Sequence, residues 1–144
     1  MNKEPIIIVG GEPNSVFLEI FFKSLKTNNY KSPLIIIISK KLFQEQMKKL
    51  GFDFKINNIN KELKDFSELT NKKINLINVD YRFKKCFEKI TTKSDKYIEK
   101  TFMVALNLMQ QNNFSKFING PISKKHFLKG KTPGITEYLA KKTN

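Results

Sequence analysis

Residues 6–38 read IIIVGGEPNSVFLEIFFKSLKTNNYKSPLIIII and set the architecture of the chain. The two ends of this stretch, Ile6–Val9 and Leu34–Ile38, are continuous runs of mainly β-branched residues, a composition typical of strands buried on both faces of a sheet. Between them, residues 15–26 carry apolar side chains at helical spacing, and Ser15 is placed to cap that helix. A strand, a helix and a second strand in this order predict a β-α-β unit with parallel strands.

The same alternation continues along the rest of the chain. The further predicted elements are a helix capped by Ser39 and ended by Gly51, a short strand at 54–56, a strand at 74–79, a helix at about 94–111 and a strand at 117–118. We therefore predict an α/β fold in which residues 1–144 form a single region, with a mostly parallel sheet and helices on both of its faces.

The polar groups suited to chemistry are concentrated in residues 117–140, FINGPISKKHFLKGKTPGITEYLA. A turn at 119–121 ends the last strand and places Lys124 on the first turn of the segment that follows. A second turn delivers Thr136 and Glu137 at the start of another helix. Because helix N-termini carry free N–H groups, we expect these two corners to face one anion.

The two corners resemble the paired signatures of a known family. Asn-Gly-Pro-Ile-Ser-Lys at 119–124, followed by Gly-Ile-Thr-Glu-Tyr-Leu-Ala at 134–140, is similar to Gly-Pro-Ile-Asn-Lys and Gly-His-Thr-Glu of the 4-hydroxythreonine-4-phosphate dehydrogenases of vitamin B6 synthesis. Near the N-terminus, Gly-Glu-Pro at 11–13 and Glu19 resemble the family's Gly-Asp-Pro block. The order and separation of the blocks agree, so the resemblance extends over essentially the whole chain.

This resemblance implies a fold and an activity. The fold is that of the N-terminal part of an isocitrate dehydrogenase-like enzyme. The activity is NAD-dependent oxidation of a phosphorylated hydroxy acid, assisted by a divalent metal, after which the keto acid loses carbon dioxide. In such enzymes the site lies in a cleft between two domains and near a homodimer interface.

The resemblance also implies which residues contact the substrate. These are Asn119, Gly120 and Lys124 from the first corner and Thr136 from the second, with Glu12 and Glu137 as further candidates. Each residue also has a plainer interpretation. The glycine would only turn the chain, the lysine would be solvated surface, and the threonine and glutamates would belong to turns or to a helix's first turn.

The sequence departs from the family pattern at several points. Ile135 replaces the histidine of Gly-His-Thr-Glu, and an apolar side chain supplies no hydrogen bond to a substrate. The family's metal-binding histidines come from segments that would follow residue 144, and His126 matches none of them, so we expect no metal site in this chain. Since family members are more than twice as long, we expect the N-terminal portion of a longer two-domain enzyme, inactive by itself. A naturally short relative is the alternative.

The composition raises a different class of partner. The net charge is +14 and the pI is about 9.8, which by themselves are typical of nucleic-acid binding. However, Arg82 is the only arginine, and the lysines are scattered in pairs along the chain. A solvated, compositionally biased surface is favoured, and nucleic acid is not expected as a partner.

Two alternatives to the family's own activity stay open. One is a dehydrogenase for another phosphorylated hydroxy acid, which Ile135 favours, and the other is a non-catalytic basic module that binds an anion or nucleic acid.

Two features bear on the compartment. Cys86 is the only cysteine, so an internal disulfide is excluded, and a lone cysteine among aromatic residues is typical of a small buried hydrophobe. The apolar runs are too short to span a bilayer, and the N-terminus lacks the features of a secretory signal. These observations favour a cytoplasmic protein without a membrane partner.

Overall fold

The computed structural model describes residues 3–144, which form five strands, four helices and three short helical turns. The strands are β1 (Ile6–Val9), β2 (Leu34–Ile38), β3 (Ile56–Asn58), β4 (Ile74–Asn78) and β5 (Phe117–Asn119). The helices are α1 (Phe17–Thr27), α2 (Lys40–Lys49), α3 (Asp95–Asn112) and α4 (Ile135–Thr143). Short turns of 3₁₀ helix lie at Phe66–Glu68 and Thr92–Ser94, and a π-helical turn lies at Lys124–Leu128.

The strands form one sheet in the order β3-β4-β2-β1-β5, and every neighbouring pair is parallel. At the centre, Ile7 of β1 lies beside Ile35 of β2 on one side and Phe117 of β5 on the other. The predicted mostly parallel sheet is therefore confirmed.

Successive residues of the central strands point to opposite faces, and each face is covered by helices. On one face, Ile7, Val9 and Ile35 pack with α3 through Ile98 and Phe102. The opposite face carries a second cluster, in which strand residues pack with α1 and α2; it contains Ile8, Ile36, Leu76, Phe22 and Phe43. Since burying one such side chain contributes roughly 1.5–3 kcal/mol, both faces of the strands must be apolar, which explains their continuous runs. The prediction of helices on both faces is confirmed.

Two local predictions need correction. Ser15 is not the N-cap of α1, because Val16 occupies that position; the Ser15 Oγ instead accepts a 3.3 Å hydrogen bond from the Phe17 N–H. The strand predicted at 54–56 lies at Ile56–Asn58, since Phe54 packs as a ring on Phe22 and pairing with β4 begins only at Ile56. The other predicted cap is confirmed, because the side chain of Ser39 accepts a hydrogen bond from the N–H of Leu42.

Cys86 behaves as the small buried hydrophobe that the sequence predicts. It is 4% exposed, and burial raises the pKa of its thiol, with Glu45 adding to the effect from 3.9 Å. A thiol of this kind is held in its less reactive protonated form. Across residues 3–144, no helix combines the length and the apolar character needed to cross a membrane.

Candidate active site

The strands β1 and β5 lie side by side, but the chain leaves them toward opposite faces of the sheet. The helix after β1, α1, packs on the face that contains Ile8, whereas the segments after β5, including α4, pack on the face that contains Ile7. Adjacent parallel strands whose connections diverge in this way open a crevice at their carboxyl ends, which is the usual ligand site of an open α/β sheet. The candidate site is therefore built on the loops that follow β1 and β5.

These two loops are locked together by backbone contacts. The Gly120 N–H donates to the Val9 carbonyl at 2.7 Å, and the Glu12 N–H donates to the Pro121 carbonyl at 2.8 Å. A β-carbon on Gly120 would lie 2.2 Å from the carbonyl oxygen of Gly10, so only glycine fits there. Gly120 is thus required by packing, independently of any contact with a substrate.

The turn after β1 is tightly packed against the β5 loop. Gly11 has a φ of +71°, and a β-carbon there would lie 2.4 Å from the carbonyl oxygen of Pro121. The free space beside Gly10, Gly11 and Glu12 is about 10 Å³, roughly what a single water molecule needs. This cavity is too small for the diphosphate of a dinucleotide, although the turn follows a strand as in nucleotide-binding folds.

Glu12 lies beneath this turn and is only 3% exposed. Its Oε1 accepts a hydrogen bond from the Asn14 N–H at 3.1 Å, and its Oε2 accepts one from the Ser94 hydroxyl at 2.9 Å. The carboxylate therefore joins the β1 loop to the residue that precedes α3. Because both carboxylate oxygens of Glu12 already accept hydrogen bonds from the protein, Glu12 is suited to positioning the β1 loop.

A second buried polar contact lies next to Glu12. The hydroxyl of Tyr97 accepts a 2.8 Å hydrogen bond from the Ser39 N–H and so ties α3 to the start of α2. Burial raises the pKa of the Tyr97 hydroxyl well above its ordinary value, and the nearby Glu12 carboxylate adds to the shift. The phenol is therefore neutral at physiological pH. The sequence does not predict this contact, because no periodic pattern distinguishes Tyr97 from the other apolar positions of α3.

The first corner, after β5, combines a constrained turn with an exposed cation. Asn119 is half-buried, and its Nδ2 donates to the carbonyl of Gly120 at 3.0 Å. The Ser123 Oγ accepts a hydrogen bond from the His126 N–H at 3.2 Å and caps the short turn that begins at Lys124. The side chain of Lys124 is exposed and so is accessible to a ligand.

The second corner places its residues in two different environments. Gly134 is the N-cap of α4, and Thr136 and Glu137 are exposed on the first turn. The Glu137 carboxylate folds back toward Gly134, where a negative charge is favoured by the helix dipole. Ile135, by contrast, is half-buried and packs against the core on the α3 face.

Aromatic packing brings the two corners together. Phe127 of the first corner and Tyr138 of α4 have ring centroids 5.1 Å apart. Both rings also pack on Phe102 of α3, at 6.2 and 5.7 Å. The loops that carry Lys124 and Thr136 therefore pack on one shared aromatic cluster.

With this geometry in place, the chain can be compared with known proteins. A family model described as "Pyridoxal phosphate biosynthetic protein PdxA" matches residues 29–144, which include both corners. The chain belongs to the PdxA family. The resemblance seen in the sequence is confirmed over this range, while the Gly-Glu-Pro block at 11–13 lies outside it.

Solved structures show the same fold as this PdxA-family chain. A 4-hydroxythreonine-4-phosphate dehydrogenase from Burkholderia phymatum superposes with a TM-score of 0.78 at 22% identity, covering 98% of this chain. One from Klebsiella pneumoniae gives a TM-score of 0.75 at 18% identity, covering 96%. The chain spans 44% of the length of each of these proteins. No curated protein matches it significantly.

The divalent metal that the PdxA resemblance implies has no suitable ligand set in the described part of the chain. Between residues 3 and 144, no three His, Cys, Asp or Glu side chains are grouped so that they could hold a metal ion. His126 is half-buried in the turn after β5.

Proposed function

We propose that this chain is the N-terminal portion of a longer, two-domain, NAD-dependent dehydrogenase that oxidises 4-hydroxythreonine 4-phosphate, after which the keto acid loses carbon dioxide. Membership of the PdxA family supports the reaction class. The observation that carries the proposal is the placement of Lys124 and Thr136 on two corners that share one aromatic support beside the carboxyl end of β5. In this proposal the chain supplies one wall of the active site.

Each residue of the wall has a distinct role in the proposal. The exposed Lys124 ammonium attracts the phosphate or carboxylate of the substrate, and the Thr136 hydroxyl donates a hydrogen bond to it. Asn119 and Gly120 shape the floor of the pocket. The Gly120 N–H does not contact the substrate, because it already donates to the Val9 carbonyl. The buried Glu12 positions the β1 loop.

The remaining parts of the reaction come from outside this wall. When bound, NAD accepts the hydride of the substrate alcohol; in general the protein contributes placement and electrostatics to such a step. Glu137 remains near the site as a first-turn charge of α4. We propose that the ligands of the divalent metal lie in the rest of the enzyme, which acts as a homodimer.

A related substrate is the second candidate, and one observation favours it. Ile135 stands where the family signature has histidine, and it packs against the core on the α3 face. An apolar side chain here removes one hydrogen-bonding group from the proposed pocket. A different phosphorylated hydroxy acid, without the polar group that the histidine would contact, would bind in this pocket with none of its polar groups left unpaired.

The proposal is tested by assaying NADH formation with the longer protein and with the 144-residue chain. With 4-hydroxythreonine 4-phosphate, NAD and a divalent metal, we expect turnover by the longer protein and none by the chain alone. Turnover by the chain alone would contradict the partial-site proposal. Failure of the well-folded longer protein to oxidise any phosphorylated hydroxy acid would contradict the dehydrogenase assignment itself.

A further inference from the structure

Residues 80–93, between β4 and α3, lie over the carboxyl edge of the sheet and form the walls of two adjoining clefts. One cleft, of about 700 Å³, lies between this segment and the start of α2. The other, of about 690 Å³, lies between the segment and Asn14 of the β1 loop. Tyr81, Arg82 and Phe83 line both clefts, so the two adjoin at these residues; together they are termed the depression.

The depression is more basic than the protein as a whole. Its cationic lining residues are Lys40, Lys41, Arg82, Lys84, Lys85, Lys89 and Lys93, and its acidic ones are Asp80 and Glu88. In the entire chain 27 basic residues accompany 13 acidic ones, a ratio of about two to one, whereas here the ratio exceeds three to one.

The cations of the depression form no ion pair with the described residues of the protein. Within residues 3–144, the four ion pairs involve Lys23, Lys116, Lys129 and Lys142, none of which lines the clefts. Arg82 is the only arginine of the chain, and its planar guanidinium is suited to bidentate contact with a phosphate. A depression of this size with an excess of positive charge is suited to an extended anion with more than one phosphate.

Aromatic side chains alternate with these cations. The rings of Tyr81 and Phe83 are stacked with centroids 5.8 Å apart, and the Lys41 Nζ lies 5.5 Å from the centroid of Phe83. Phe87 is 43% exposed and has a φ of +60°, which is unusual for a bulky residue. An exposed ring beside a cluster of cations is the combination on which nucleobases stack while their phosphates are neutralised.

The segment is anchored at several points, so its backbone is held in place before a ligand binds. The Tyr81 ring packs on the buried Tyr97 with centroids 4.6 Å apart. Cys86 is buried between the exposed lysines and Phe87, and the Glu88 N–H donates to the Asn14 Oδ1 at 3.0 Å. This preorganisation lowers the entropy that a ligand would otherwise lose in ordering the loop.

From these contacts we propose that the depression formed by residues 80–93 is a nucleotide-binding site. The phosphates contact Arg82 and the neighbouring lysines, and the base stacks on Phe87. The site is separate from the proposed dehydrogenase wall, because Asn119, Lys124 and Thr136 are absent from the lining of both clefts. The nucleotide is either free in solution or part of a single strand, and the chemistry of recognition is the same.

Binding is measured by fluorescence anisotropy and calorimetry with three probes: fluorescent ADP, inorganic diphosphate and a single-stranded 12-mer. The test variant is Lys84→Glu/Lys85→Glu. The matched control is Lys72→Glu/Lys73→Glu, an exposed pair that precedes β4 at the opposite edge of the sheet and changes the net charge equally. All four positions are exposed, and unfolding curves verify that both variants remain folded.

The test variant should lose about tenfold or more in affinity for ADP, as expected for lost charge-assisted contacts, whereas the control should change by less than about twofold. Phe87→Ala should weaken ADP binding and leave diphosphate binding unchanged. If the 12-mer binds much more tightly than ADP, and the test variant again loses affinity while the control does not, the ligand is a single strand. If the 12-mer binds as tightly as ADP or less tightly, the ligand is a free nucleotide. Equal losses in the two lysine variants, no saturable binding of any probe, or an unchanged ADP affinity in Phe87→Ala would overturn the proposal.

Discussion

Gly11 and Gly51 adopt the same left-handed backbone in very different surroundings. Their φ values are +71° and +75°, but a β-carbon on Gly51 would meet nothing within 4 Å, whereas one on Gly11 would collide with the Pro121 carbonyl. Alanine substitutions at these two glycines therefore distinguish the free-energy cost of the left-handed backbone from the cost of a steric clash between the β1 and β5 loops.

We expect Gly51→Ala to lower the free energy of unfolding by about 1–2 kcal/mol, the cost of a left-handed non-glycine residue. Gly11→Ala should lower it by about 1–3 kcal/mol more, because the added methyl forces the two loops apart. Urea unfolding of both variants measures the difference. Equal destabilisation would show that the two loops are not in close contact.

Glu12 and Ser94 form a buried pair whose hydrogen bond joins residues 82 positions apart in the sequence. Glu12→Gln keeps the size of the side chain but turns one acceptor into a donor, and we expect it to lower the free energy of unfolding by about 1–3 kcal/mol. Ser94→Ala should have an effect of similar size. Because both variants remove the same charge-assisted hydrogen bond between the Ser94 hydroxyl and the carboxylate, the double variant should fall short of the sum by about 1 kcal/mol. Additive losses in urea unfolding would show that the bond does not stabilise the fold.

At the level of elements, sequence patterns predicted β1 and β2 best, because these central strands are buried on both faces and apolar throughout. Caps were less predictable. Ser39 directly precedes α2 and caps it, whereas the loop before α1 runs one residue beyond Ser15 and leaves Val16 as the N-cap. A capping residue type shows that a helix starts nearby, but the loop geometry decides which residue takes the position.

At the start of α4, a residue at a motif position packs against the core. Ile135 occupies the histidine position of the family signature, yet it packs against the core, while Thr136 beside it is exposed. Ile135→His should lower the free energy of unfolding by about 1–3 kcal/mol, because a polar ring replaces buried apolar surface. The control Thr136→His, on the exposed side, should change it by less than about 0.5 kcal/mol.

The same substitution tests the specificity of the longer protein. We expect Ile135→His to leave kcat/KM for 4-hydroxythreonine 4-phosphate unchanged or lower, since the pocket has repacked around isoleucine. A gain of about tenfold or more, equivalent to roughly 1.4 kcal/mol of transition-state stabilisation, would contradict this view. It would indicate that the site retains its family substrate and lacks only one contact.

For the whole molecule, the parallel α/β architecture and the two corners after β5 followed from the sequence. The polar network around Glu12 and the depression at 80–93 did not. The network joins distant residues whose types are common in turns, and the lysines of the depression resemble those scattered elsewhere in the chain. Only the tertiary structure gathers them at the carboxyl edge of the sheet.

The corner after β5 is proposed to contact a phosphorylated substrate, and two neighbouring lysines test this proposal. Lys124 and Lys125 are both exposed, so neither substitution by alanine should alter the melting temperature. In the longer protein, kcat/KM for the phosphorylated substrate should fall about tenfold or more in Lys124→Ala, the usual effect of losing a charge-assisted hydrogen bond of about 1.5–3 kcal/mol. It should change by less than about twofold in Lys125→Ala. Unchanged kinetics in Lys124→Ala, or equal losses in both variants, would contradict the account.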